Sequence, residues 1–223
     1  MFLTTIPPAN HVACAFDFAK KTGAGYEERT LTAPGFFEDV DDPARIDDFP
    51  WPNPADHMDA GECRRAVAAV PPGYAALGVM WSAHFQDACS AFGMETALMR
   101  MLEAPVLFQA VIDRITEFYL QANRIFYEAC GDRLHAVLIG NDFGSQTTLM
   151  VSPALLRRFV FAGTRKLIAQ AHFYGYKVIH HSCGAVHAII PDIIAQGADV
   201  IHPIQALATG MEPAGLQHEF GRL

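Results

Sequence analysis

The sequence predicts an α/β fold of parallel strands, and three observations carry that prediction. Short apolar runs alternate with segments of helical periodicity four times between Gly73 and Gln205, with connections long enough to return each strand parallel to the one before. The run L-H-A-V-L-I-G-N-D at 134–142 is almost wholly apolar up to Gly140, as expected of a parallel strand covered on both faces. No G-x-G-x-x-G or P-loop follows any strand, which counts against a nucleotide-binding doubly wound sheet and favours a (β/α) barrel.

Residues 1–60 read as an irregular segment, and 61–223 as the barrel-like domain. The piece E-D-V-D-D-P-A-R-I-D-D-F-P-W-P-N-P-A-D is acidic and proline-dense, so extended and turn conformations are expected. Its aspartates Asp39, Asp41, Asp42, Asp47 and Asp48 read as a solvated loop, and Trp51, between two prolines, as a packing anchor. A short helix is expected over 59–70 and a buried strand over 73–80, followed by a helix in W-S-A-H-F-Q-D-A-C. Gly93 separates this helix from another over 94–103. Pro105 then opens a long helix to Cys130, with apolar residues at Val106, Ile112, Ile115, Phe118, Tyr119, Ala122, Ile125, Phe126 and Ala129, which is helical spacing. Gly131 suits its end.

The strand 134–142 comes next. Ser152 and Pro153 are the N-cap and first residue of a helix running to about Phe173. Gly175 closes that helix, with Tyr174 and Tyr176 packing at the turn. The strand K-V-I-H-H follows, then a helix in A-V-H-A-I-I-P-D-I-I-A-Q-G. A last strand is expected in A-D-V-I-H-P-I-Q.

Composition narrows the function. Hydrophobic residues make up 51% of the 223 residues, which supports a large core, and the net charge of −8 argues against nucleic acid as the main partner. The five cysteines, Cys14, Cys63, Cys89, Cys130 and Cys183, are scattered and odd in number, which points to a reducing cytoplasm without a disulfide framework. No apolar stretch has the length of a membrane helix, and the N-terminus lacks the basic and apolar regions of a signal peptide.

The chemistry centres on K-V-I-H-H-S-C-G at 177–184. Strand side chains alternate, so His181 and Cys183 point one way and His180 the other, as a satisfied core histidine. An imidazole and a thiol on one face form half a zinc site. They stand at the C-terminal end of a strand, where α/β enzymes hold their reactive groups. Asn141 and Asp142 end the preceding strand in the same way.

Several pieces in order resemble the uroporphyrinogen decarboxylase superfamily, and within it the cobalamin-dependent methyltransferases that act on thiols. They are F-P-W-P-N-P-A-D at 49–56, G-M-E-T-A-L-M-R-M-L at 93–102 and N-D-F-G-S-Q-T-T-L-M-V-S-P at 141–153. H-S-C-G at 181–184, G-A-D-V-I-H-P-I-Q at 197–205 and G-M-E-P-A-G-L-Q-H-E-F-G at 210–221 complete the set. The resemblance spans roughly residues 30–223. It implies a (β/α)8 TIM barrel of the uroporphyrinogen decarboxylase type. Because such a barrel takes about 250 residues, the chain is expected to be incomplete at both ends.

The resemblance also implies zinc held by His181, Cys183 and a later cysteine, and no cysteine follows Cys183. Asp142 is the candidate to supply the third ligand or to orient His181. Asp142 and Gln146 are the catalytic candidates, and Asn141, His202 and Gln205 the candidates for substrate binding. The expected reaction is methyl transfer between a corrinoid and a thiol or similar acceptor. The zinc would favour the thiolate. A small-molecule substrate, a corrinoid protein and a second copy of the chain are the expected partners. Decarboxylation of uroporphyrinogen is the alternative activity, although no counterpart of that enzyme's arginine-rich N-terminal stretch is present. A truncated, non-catalytic chain is the third possibility.

Overall fold

In the computed structural model, five parallel strands lie side by side in chain order, β1-β2-β3-β4-β5, among the described residues 2–6, 15–18 and 32–221. Cys14 lies outside the described residues. A doubly wound sheet reverses its strand order at a switch point. Here each strand pairs with the next in sequence, so the winding proceeds in one direction and the sheet is the wall of a (β/α) barrel.

The first strand corrects the expectation of an irregular front. β1, Phe2–Ile6, pairs in parallel with the second strand over its whole length, from Phe2 opposite Tyr74 to Ile6 opposite Gly78. Five residues ahead of a Pro-Pro pair gave too short a signal to separate from a loop. The rest of the described front is a docked layer. Phe16, Phe18, Phe37 and Phe49 are buried around Trp51, whose indole N–H donates to the Ile46 carbonyl at 2.9 Å. The acidic residues are not simply solvated. Asp42 caps a 3-10 turn at Pro43–Asp48, while Asp41 and Asp47 pair with Arg100 and Arg114.

α1, Ala60–Ala68, starts at Asp59, whose carboxylate accepts the Gly61 and Glu62 N–H groups. β2, Tyr74–Trp81, leads into α2, His84–Phe92, and Gly93 at φ +82° turns the chain into α3, Met94–Glu103. α4, Pro105–Cys130, buries the stripe that contains Ile112, Ile115, Phe118, Tyr119, Ala122 and Phe126. Val106, expected on that stripe, is 68% exposed, while its neighbours Leu107 and Phe108 face inward from the same turn.

β3, Ala136–Gly140, is followed by α5, Pro153–Leu155, capped by Ser152, then a π turn at Leu156–Val160 and α6, Phe161–Phe173. Tyr174 and Tyr176 pack on Tyr127. β4, Lys177–His181, is followed by a 3-10 turn at His187–Ile189 and α7, Ile190–Ala195. α7 is thus shorter than expected. β5, Val200–His202, and α8, Pro213–Phe220, complete the described chain. No helix among the described residues is long and apolar enough to cross a membrane, and the described cysteines, Cys63, Cys89, Cys130 and Cys183, are free thiols.

Candidate metal centre

The last residues of β3, β4 and β5 stand abreast, Gly140 beside His181 and His181 beside His202. This close approach depends on glycine: a Cβ on Gly140 would lie 2.3 Å from the His181 carbonyl oxygen. The pairing continues past the strand ends. Asn141 N–H donates to the His181 carbonyl at 3.1 Å, and Ser182 N–H to the His202 carbonyl at 2.8 Å. The side chains that follow therefore emerge at one level on the C-terminal rim of the sheet.

Asp142, His181 and Cys183 meet there. Their ligand atoms all lie within 4.8 Å of one another. Asp142 Oδ1 is 3.2 Å from His181 Nε2 and accepts the Cys183 amide N–H at 2.8 Å. Cys183 Sγ is 3.4 Å from His181 Nε2. The Ser182 hydroxyl, fully buried, accepts the Phe143 N–H at 3.0 Å and ties the two loops together behind the centre.

Burial, with the nearby Asp142 charge, pushes the Cys183 thiol upward. Burial also lowers the His181 imidazole, with Asp142 opposing and His202 reinforcing the shift. Metal ligation uses a bare imidazole nitrogen, and a divalent ion replaces the thiol proton. Imidazole, thiol and carboxylate form a donor set that zinc accepts, and three protein ligands leave one position open. The residues present fit the metal.

The other expected site residues divide. His202 Nδ1 lies 2.9 Å from His181 Nδ1. Gln205 and Gln146 form a bridge: the Gln205 amide donates to Gln146 Oε1 at 2.7 Å, and its own Oε1 accepts the Gly184 N–H at 2.8 Å. Asn141, expected at the substrate, is 1% exposed and faces the interior. Its Oδ1 accepts the Phe85 and Gln86 N–H groups at 2.8 and 3.3 Å, capping α2 from another strand. Its amide lies 3.4 Å from His84 Nδ1, while His84 Nε2 reaches the Val160 carbonyl at 3.2 Å. Asn141 is therefore closed to a ligand.

His180 faces the opposite way from His181, as strand alternation requires, and stacks on Phe143 with ring centroids 6.1 Å apart. It is not satisfied as expected: neither ring nitrogen has a hydrogen-bond partner, and burial, with His84 and His181 nearby, lowers its pKa to about 3.

Trp81 is the neighbour that sequence reasoning missed. Its ring lies 4.6 Å from the His181 ring, and its backbone sits at φ +72°, followed by Ser82 at +50°. Such conformations in non-glycine residues are uncommon and concentrate at functional sites. The signal was available, since Trp81 ends β2 as Asp142 and His181 follow or end their own strands.

The model of the uroporphyrinogen decarboxylase family matches residues 5–205. No curated protein matches the chain. Among solved structures, a methyltransferase from Methanosarcina mazei is similar with a TM-score of 0.52 and 20% identity, over 64% of this chain and 40% of that one. This likeness shows a shared fold, with the present chain spanning 40% of that protein's length. With most of its length matched by the family model and its strands wound in barrel order, the chain belongs to the uroporphyrinogen decarboxylase family.

Proposed function

We propose that this chain carries out zinc-dependent methyl transfer between a corrinoid and a thiol or similar acceptor. The observation that carries the reading is the convergence of Asp142, His181 and Cys183, with ligand atoms within 4.8 Å of one another, at the C-terminal rim of the barrel wall. Asp142 is placed to serve as a third ligand beside His181 and Cys183. The methyltransferase activity named for the similar solved structure accords with this reading.

Zinc in this position supplies a Lewis acid that favours the thiolate form of a substrate sulfhydryl at neutral pH. The chain's own residues prepare the site. Asp142 fixes the Cys183 backbone by accepting its N–H. Trp81 covers one side of His181 and limits the water that reaches it. The Gln146–Gln205 bridge holds the loop at Gly184, so both are positioning groups rather than reacting ones. The methyl donor would be a corrinoid presented by a corrinoid protein, and the acceptor a small thiol.

Metal analysis tests the proposal directly. Purified protein reconstituted with zinc and freed of excess should hold one ion per chain, and Cys183→Ser should lose most of it. Zinc well below stoichiometry in the parent protein, unaffected by Cys183→Ser, would sink the metal assignment. With the metal established, loss of methylcorrinoid absorbance on adding a thiol reads out the transfer.

A further inference from the structure

We infer that His202 is a positioning residue for the metal centre: it accepts a hydrogen bond from His181 Nδ1–H and so keeps His181 Nε2 bare for the ion. This inference rests on the metal reading above.

The two nitrogens of His181 face different partners. Nε2 points at Asp142 Oδ1 (3.2 Å) and Cys183 Sγ (3.4 Å), and Nδ1 points at His202 Nδ1 at 2.9 Å. A neutral imidazole carries one proton, so binding the ion through Nε2 requires the proton on Nδ1. The atom placed to receive that hydrogen bond is His202 Nδ1, which must then carry its own proton on Nε2. The ring centroids are 5.0 Å apart and inclined by 47°, so the contact runs edge to edge between nitrogens rather than through stacked faces.

His202 is held for this role by the sheet. It is the register partner of His181 on β5, and its carbonyl accepts the Ser182 N–H. The contact thus follows from backbone pairing. Without the ion, Asp142 competes for the proton by favouring Nε2–H of His181. In that tautomer His181 Nδ1 accepts from His202 Nδ1–H. With an ion held by His181 Nε2, the pair would carry its two protons on His181 Nδ1 and His202 Nε2, leaving His202 Nδ1 to accept from His181 Nδ1–H. The imidazole pair keeps its proton count, and His202 shifts from donor to acceptor.

The partners of metal-bound histidines typically contribute about 10–100-fold in metal affinity. The test compares zinc affinity by chelator competition in the parent protein, His202→Leu and His202→Gln, with thermal melts to show that each variant is folded. His202→Leu should weaken zinc binding about 10–100-fold, whereas His202→Gln, whose carbonyl oxygen accepts from Nδ1–H, should recover most of the loss.

The second arm is nuclear magnetic resonance of zinc-loaded parent protein with 15N-labelled histidine. It should show the proton on His181 Nδ1 and a coupling across the hydrogen bond to His202 Nδ1, whatever the fate of the variants. A His202→Leu protein that binds zinc as tightly as the parent, or a zinc-loaded His181 without that coupling, overturns this role and leaves the metal site standing. A parent protein that takes up no zinc overturns the metal reading and this role with it.

Discussion

At Gly184 a single hydrogen atom in place of a side chain lets the loop carry Cys183 up to Asp142 and His181. Its φ of +89° is accessible to glycine, and a Cβ there would stand 2.3 Å from the Gly144 carbonyl oxygen. The loop after β3 and the loop after β4 touch at this point, and Ala185 N–H donates to the Ser145 carbonyl beside it. Gly184→Ala is therefore expected to cost at least about 1–2 kcal/mol from backbone conformation alone, with the steric clash added. Urea unfolding should show the lost stability. Zinc content should fall in the fraction that remains folded, because relief of the clash moves Cys183 away from His181. Retention of stoichiometric zinc at parental stability would mean that the two loops separate without cost.

At the scale of elements, one carboxylate joins three of them at the N-terminal edge of the sheet. Asp199, just before β5, accepts from Lys177 Nζ at 2.7 Å, from the Val178 N–H at 2.9 Å, and lies 2.9 Å from His172 Nε2 at the end of α6. Burial alone would raise the Asp199 pKa. The Lys177 ammonium, the Val178 N–H and His172 outweigh it and hold the group down at about 2. The unfolded chain would bind this proton near pH 3.9. Between roughly pH 4 and pH 2 the unfolded state therefore binds more protons, and the Asp199 contribution is lost as pH falls through that window. Asp199→Asn is expected to cost on the order of 1 kcal/mol at neutral pH, after allowance for solvent screening. It should also flatten the stability profile below pH 4. Denaturant melts at pH 2.5, 4 and 7 check both, and an unchanged acid slope would place the acid sensitivity elsewhere.

For the molecule as a whole, the described residues ahead of α1 supply part of the core. Phe18 is fully buried and stacks on Phe49, with centroids 4.7 Å apart, while Phe16 beside it packs on Phe118 of α4 at 4.6 Å. The ion pairs from Asp41 to Arg100 and from Asp47 to Arg114 fasten the same segment to α3 and α4 from outside. Exposed pairs of this kind contribute little, whereas a deleted buried phenyl ring costs about 3–5 kcal/mol. Phe18→Ala should thus lower the melting temperature substantially and expose the layer over α4 to proteolysis, while Asp47→Ala should change the melt only slightly. Equal effects from the two would mean that the layer is held by charge rather than by packing.

Much of this was legible in the sequence because it depends on local periodicity. The helices over 60–68, 84–92, 94–103 and 105–130 follow from apolar spacing with Pro, Gly and Asp at their ends, and strand alternation alone put His181 and Cys183 on one face and His180 on the other. Tertiary structure decided the rest, because the remaining features are contacts between residues far apart in the chain. βα alternation by itself is shared with a doubly wound sheet, and the pairing order bears out the barrel that the missing nucleotide-binding motifs and the family resemblance implied. β1 was hidden because a five-residue strand draws its stability from a partner about seventy residues away. Asn141 and Asp142 are adjacent in sequence and equally polar. Strand geometry turned Asn141 inward to cap α2 and sent Asp142 to the rim with His181 and Cys183. The role of His202 came from register, which sets it directly beside His181, and no pattern along one strand encodes its neighbour on the next.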